Sequence, residues 1–160
     1  MRRTAIPWRG RAERGSIAIE AAFSLILLFI FVVLPFFFAR LFWYYNVAQK
    51  AAHDSARFLS NTAQAEIVAA PGSAGAALPI VAVADAIANA ELNDIRPALD
   101  HYTVGVSCDY APCGIGVPQV VHVSVQMRLR NDMFREILST YFSEDPLVFE
   151  ARVTMRYVGN

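Results

Sequence analysis

Arg14-Gly15-Ser16-Ile17-Ala18-Ile19-Glu20 joins a basic leader to a long apolar run that carries one acidic residue near its start. From Ile17 to Ala39 the only ionisable side chain is Glu20. A helix over this segment, rising about 1.5 Å per residue, reaches about 35 Å and so crosses the hydrocarbon core of a bilayer. A carboxylate inside such a span costs about 3 kcal/mol to insert, and intramembrane ionisable groups usually mark a functional contact. Glu20 therefore has to be explained together with the helix that carries it.

Charge sets the orientation. The leader holds Arg2, Arg3, Arg9, Arg11 and Arg14 against Glu13, a net of +4, whereas residues 46–160 hold eight basic and twelve acidic side chains, a net of −4. The formal neutrality of the whole chain hides this asymmetry. By the positive-inside rule the leader stays cytoplasmic and everything after the span is translocated.

Three readings of the N-terminus compete. A secretory signal peptide has a basic start, but its apolar core is shorter and ends in a small-residue cleavage site. Here the run leaves through Phe36-Phe37-Phe38-Ala39-Arg40-Leu41-Phe42-Trp43-Tyr44-Tyr45, which is bulky. A plain signal anchor leaves Glu20 as an accident near the interface. The third reading cuts on the cytoplasmic side, after Gly15, so that Ser16 becomes the N-terminus and Glu20 the fifth residue of the mature chain.

A basic leader ending in Gly, a small residue next, Glu at the fifth position and an unbroken apolar helix resemble a class III signal, the substrate of prepilin peptidases. Pro35, the aromatic exit and Asn46-Val47-Ala48-Gln49-Lys50-Ala51-Ala52-His53-Asp54-Ser55-Ala56-Arg57 resemble the TadE-like family, pseudopilins of the tight-adherence (Tad/Flp) pilus, whose members carry a similar Gln, Ala-Ala and Ala-Arg pattern. The likeness is specific from Gly15 to about Leu59. In this family an aromatic often follows the Glu; here Ala21 does, and Phe23 comes two residues later. The resemblance implies a protein of the bacterial inner membrane with its C-terminal domain in the periplasm. It also implies cleavage at Gly15 and Ser16 by a prepilin peptidase, and partnership with other Tad pilus components, a related pseudopilin among them.

The chemistry of Gly15 and Glu20 also stands on the residues themselves. Gly15 has no side chain, so a protease can approach the backbone closely there. Cleavage frees an α-amino group at Ser16 with an ordinary pKa of about 8. Glu20 lies four residues, about 6 Å, along the same helix. When such helices pack with a small axial stagger, the carboxylate of one meets the amine of the next, and a slipped subunit leaves two unpaired charges in lipid. Glu20 is expected to act in assembly.

Beyond the span the helix is expected to continue to about residue 60. Ala48, Ala52 and Ala56 recur every four residues as a small-residue seam, which suits either a neighbouring helix or the protein's own domain. Pro35 lacks the amide that would bond Phe31 and can kink the span. Residues 61–78 are expected to be a linker, with Ala69-Ala70-Pro71-Gly72-Ser73-Ala74-Gly75 flexible. A second helix is expected from Pro79 to Ile95, stopped by Pro97, because Ile80, Ala84, Ile87, Ala88, Leu92 and Ile95 keep the helical period.

The period then changes to two. Tyr102 to Cys108, Val121 to Leu129 and Leu147 to Tyr157 alternate apolar with polar or small residues, predicting three antiparallel strands with one solvated face. Asn131 to Phe142 suggests a short helix or an irregular crossover. The expected organisation is a leader at 1–15, a transmembrane helix with its extension at 16–60, the linker, and an exported domain at 79–160. The expected fold class is α+β: a long N-terminal helix, a second helix and a three-stranded antiparallel sheet.

Cys108 and Cys113 flank a turn-rich loop in a segment placed outside the cytoplasm, where a disulfide is expected; C-x4-C is a poor match for a metal knuckle. His53, His101 and His122 are scattered and are expected at the surface or in caps. Neither a metal nor another cofactor is implied, and the charge balance points to no nucleic-acid partner. The chain lacks a nucleophile elbow, a phosphate-binding glycine loop and an H-E-x-x-H motif, so no enzymatic activity is expected. The reading favoured is a TadE-like minor pilin or pseudopilin that helps assemble an adhesion pilus. The rival is a signal-anchored periplasmic scaffold or ligand-binding module.

Overall fold

Small side chains at four-residue spacing let two helices meet at close range, and that contact organises the chain beyond Leu41. The computed structural model describes residues 13–68, 79–130 and 147–159. The first helix, α1, runs from Glu13 to Ser60, through Pro35. Two short elements follow in different places: α2, Gln64–Ile67, and a 3-10 turn at Arg96–Ala98. Between them lies α3, Pro79–Leu92. Three strands complete the fold: β1, Leu99–Cys108; β2, Val120–Leu129; and β3, Val148–Arg156. The fold is α+β, with one long apolar helix and a three-stranded antiparallel sheet ordered β1-β2-β3.

The chain divides into two units, one up to Leu41 and one from Phe42. The second unit therefore takes in the last five turns of α1, which the sequence groups with the span at 16–60. Tyr44, Ala48, Ala51, Ala52, Ser55, Ala56 and Leu59 form its buried stripe, at the spacing of one helical face. On α3 the matching stripe is Ile80, Ala84, Ala88 and Leu92. The Ser55 hydroxyl donates to the Ala84 carbonyl at 2.9 Å, and Lys50 pairs with Glu91 at 2.5 Å, so the two helices cross in opposite directions. The Ala seam of α1 is packed inside the protein's own domain. The Lys50 pair is solvent-exposed and stabilises little.

In the sheet, Val121, Val123, Val125, Met127 and Leu129 project from β2 into the core and are nearly or wholly inaccessible. Register places Val104 and Ala151 on either side of Val125, and Val106 and Val153 on either side of Val123, so one apolar layer runs across all three strands. This is the two-residue period of the sequence turned into a sheet face. A bulge between Leu99 and His101 keeps Leu99 buried while shifting the register behind it.

Three expectations change. Residues 61–68 belong to the packed domain: Ile67 of α2 is fully buried, α2 rests on α3, and the chain's last residues clamp the preceding turn. The Val158 amide bonds the Ser60 carbonyl at 2.9 Å, and the Tyr157 phenol donates to the Thr62 carbonyl at 2.6 Å. Burial pushes that phenol above its ordinary pKa and keeps it a donor. The backbone of residue 159 passes so close to Thr62 that a Cβ there would lie 1.8 Å from its carbonyl oxygen, which accounts for Gly159. Secondly, α3 stops at Leu92, three residues early, because Asn93 and Asp94 favour turns; Ile95 is still buried, and Pro97 sits within the 3-10 turn. Thirdly, β3 is bounded by Val148 and Arg156. The flexible link at 69–75 and the crossover at 131–142 lie outside the described residues.

The helix crossing yields a stability test. Ala84→Leu forces extra methyl groups into the α1 contact and is expected to destabilise the domain by about 1–3 kcal/mol. Ala82→Leu, on the exposed side of the same helix, is expected to change stability by less than about 0.5 kcal/mol. Thermal melts of the detergent-solubilised full chain compare the two.

Candidate processing and assembly site

The described part of the N-terminal unit is a helix whose most apolar stretch is exposed. Every residue from Gly15 to Val32 is exposed, Phe31 at 75% and Ile19 at 74%. Leaving a large apolar side chain in water forgoes about 1.5–3 kcal/mol of burial. Eleven such side chains between Ile17 and Val32 call for an apolar solvent. By length and composition the helix is able to cross a membrane, and none of its most apolar stretch is buried within the protein.

Gly15, Ser16 and Glu20 lie at the start of this helix, all three exposed. A Cβ built at Gly15 would meet nothing within 4 Å, so packing does not demand glycine there. Glycine in a helix interior costs about 1 kcal/mol relative to alanine. Its presence is unexplained by the fold and is compatible with a peptide bond that must be reached and locally unwound. Ser16 and Glu20 are one turn apart on the same face. Among the described residues no basic side chain forms an ion pair with Glu20.

The second predicted pair is brought together. Cys108 and Cys113 form a disulfide with Cα atoms 4.8 Å apart. Inside it, Cys108 and Ala111 exchange both backbone hydrogen bonds, closing a two-residue turn whose central residues, Asp109 and Tyr110, have φ of 49° and 65°. Asp tolerates that left-handed conformation, while Tyr adopts it only under constraint. The constraint is visible: the Asp109 carboxylate accepts hydrogen bonds from the Gln119 and Val120 amides at 2.9 Å each, tying the turn back onto β2.

This turn explains a residue the sequence misplaced. His122 lies on the outward face of β2, where polar side chains were expected to be solvated, yet it is 6% exposed. Tyr110 stacks on its ring at 4.2 Å between centroids, and its Nδ1 lies 2.8 Å from the Thr154 hydroxyl. Its Nε2 is buried without a protein hydrogen-bond partner. His53 and His101 are exposed, as expected, with His53 beside Asp54 at 3.4 Å. Only the sharp Cys-Asp-Tyr-Ala turn hinted that something would fold over β2. Among the described residues no group of three or more His, Cys, Asp or Glu side chains converges as a metal-binding cluster would.

A family model described as TadE-like protein matches residues 15–57. The match begins at the Gly15-Ser16 pair, includes Glu20, and ends within the Ala seam, before α2, α3 and the sheet. No curated protein and no solved structure matches the chain.

The loop supplies the test. Under denaturing conditions an alkylating reagent is expected to label neither cysteine until a reductant is added. Replacing both with Ser is expected to cost about 2 kcal/mol, the loop-closure value for so short a ring. Chemical denaturation of the full chain in detergent measures it.

Proposed function

We propose that this protein is a TadE-like minor pilin or pseudopilin that takes part in assembling a Tad-type pilus for adhesion. It is a single-pass protein of the inner membrane with a cytoplasmic leader and a periplasmic head, and its role is structural, not enzymatic. The observation that carries this reading is the family match starting at Gly15 on a helix whose only acidic group past that point and before the head is Glu20.

The proposed mechanism has two steps. A prepilin peptidase binds the leader on the cytoplasmic side and hydrolyses the bond between Gly15 and Ser16, releasing an arginine-rich peptide. The mature helix then begins with an ammonium at Ser16, four residues from the Glu20 carboxylate. Within one subunit these opposite charges share a helix face. Between subunits, a stagger of about one turn sets the carboxylate of one against the ammonium of its neighbour. In hydrocarbon an unpaired charge costs several kcal/mol, so the pair selects the register. The exposed apolar surface from Ile17 to Val32 suits this lateral packing, because it matches lipid and a neighbouring helix equally well.

Processing is tested by N-terminal peptide mass spectrometry of membrane-extracted protein, which is expected to find Ser16 as the first residue. Recovery of only Met1 chains in cells with an active prepilin peptidase overturns the reading and favours a plain signal anchor. Assembly is tested separately by Glu20→Gln, which keeps size and hydrogen bonding but removes the charge. Insertion and cleavage are expected to persist, while copurification with pilus components falls at least tenfold, a loss of about 1.4 kcal/mol or more. Unchanged pili and partner complexes in that strain mean that Glu20 merely reaches the membrane surface.

A further inference from the structure

The head ends in two outer strands that differ in one respect. On β1 both ends are closed against further pairing. The bulge at Leu99 and His101 breaks its ladder at one end, and at the other the Cys108 amide is already bonded to the Ala111 carbonyl. These are devices by which natural sheets protect their edges. Within Val148–Arg156 β3 has neither: it pairs with β2 in unbroken register, and its outer row is taken up only beyond the strand, where the Val158 amide bonds the Ser60 carbonyl.

The direction of its free backbone groups follows from the bonds that are made. The Leu129 amide bonds the Leu147 carbonyl, and the Tyr157 amide bonds the Gln119 carbonyl, both in line with the β2 register. Odd-numbered residues of β3 therefore turn their amides and carbonyls toward β2. Those of Val148, Glu150, Arg152, Thr154 and Arg156 point away from the sheet. On the core side, Phe149, Val153 and Met155 remain only half-buried, as residues do when no further strand covers them.

We propose that two copies of this chain associate through β3, edge to edge and antiparallel, continuing the sheet across a two-fold axis at Val153. The parity is correct: an axis there places Glu150 opposite Arg156 of the other copy and Arg152 opposite Thr154, all with free backbone groups facing one another. The charges on the solvated face are self-complementary in this register. Arg156 forms no ion pair among the described residues, and in the dimer each Arg156 faces the Glu150 carboxylate of the other copy, which also holds its own Arg152 at 2.6 Å. An axis at Arg152 would instead stack two guanidinium groups. On the core side the same register sets Val153 against Val153 and Ala151 against Met155, extending the apolar layer beneath β2. A two-fold pairing of this kind closes on itself and stops at two copies, because each β1 edge is blunted. The dimer is independent of cleavage at Gly15.

Cross-linking in native membranes tests it with the full-length chain. In Val153→Cys the two sulfur-bearing residues meet across a non-hydrogen-bonded pair with Cα atoms about 4.5 Å apart, within disulfide range. Mild oxidation is expected to give a reducible dimer. Val106→Cys, across Val123 from Val153 on the other outer strand, is expected to give none. Glu150→Arg in the Val153→Cys background sets arginine against Arg156 and is expected to lower the dimer yield roughly tenfold, with Glu150→Arg/Arg156→Glu restoring it. Equal cross-linking at Val106, a yield indifferent to Glu150→Arg, or a Val153 cross-link to a different protein overturns the proposal. So does a Val153→Cys protein that keeps its melting temperature yet stays monomeric.

Discussion

The approach of α1 to α3 is the contact on which the second unit depends. The Ser55 hydroxyl reaches the Ala84 carbonyl directly, and its buried neighbours on α1 are Ala51, Ala52 and Ala56. That bond satisfies a buried hydroxyl that would otherwise be costly to leave dry. Small residues bring little apolar area each, but they permit contact along the whole seam, so dispersion between the helices compensates. With α3 set on α1, β1 follows within a few residues, and the sheet lays its Val-rich face over the remaining apolar surface. The chain's last residues then return to the end of α1, where Tyr157 and Val158 hold Thr62 and Ser60.

One helix thus serves two solvents. From Ile17 to Trp43 most of its side chains are apolar and exposed; from Tyr44 on, the buried side chains are mostly Ala and Ser, and the exposed ones, Asn46, Lys50, His53 and Arg57, are polar or charged. The change in side-chain size marks the change in what the helix packs against. Large side chains suit lipid, which adapts to any shape, whereas small ones suit a fixed partner helix. Glu20 is out of place in the first environment, and that is why it carries the functional reading.

The disulfide loop shows a different economy of residues. Cys108–Cys113 and the Asp109 carboxylate together hold Tyr110 in a backbone conformation it does not favour, and the ring then shields His122. The consequence is a polar residue buried on the face of the sheet that alternation assigns to solvent. It also closes one end of β1, leaving β3 as the strand with a continuous row of free backbone groups among the described residues. A local turn thereby biases how the whole sheet can meet another.

Much of this was legible in the residues alone. The span followed from 23 residues with one charge, α3 from the four-residue recurrence of Ile80, Ala84, Ala88 and Leu92, and the strands from strict alternation, because burial on one face imposes those periods on any helix or sheet. The candidate site was equally legible, since a lone carboxylate in hydrocarbon is conspicuous without coordinates. Tertiary structure decided what periodicity leaves open: that the Ala seam packs inside its own domain, that Ile67 is core and not linker, and that His122 lies beneath Tyr110. Each of these depends on which distant segment arrives at a surface, and a sequence period specifies only that a face is to be covered, not by what.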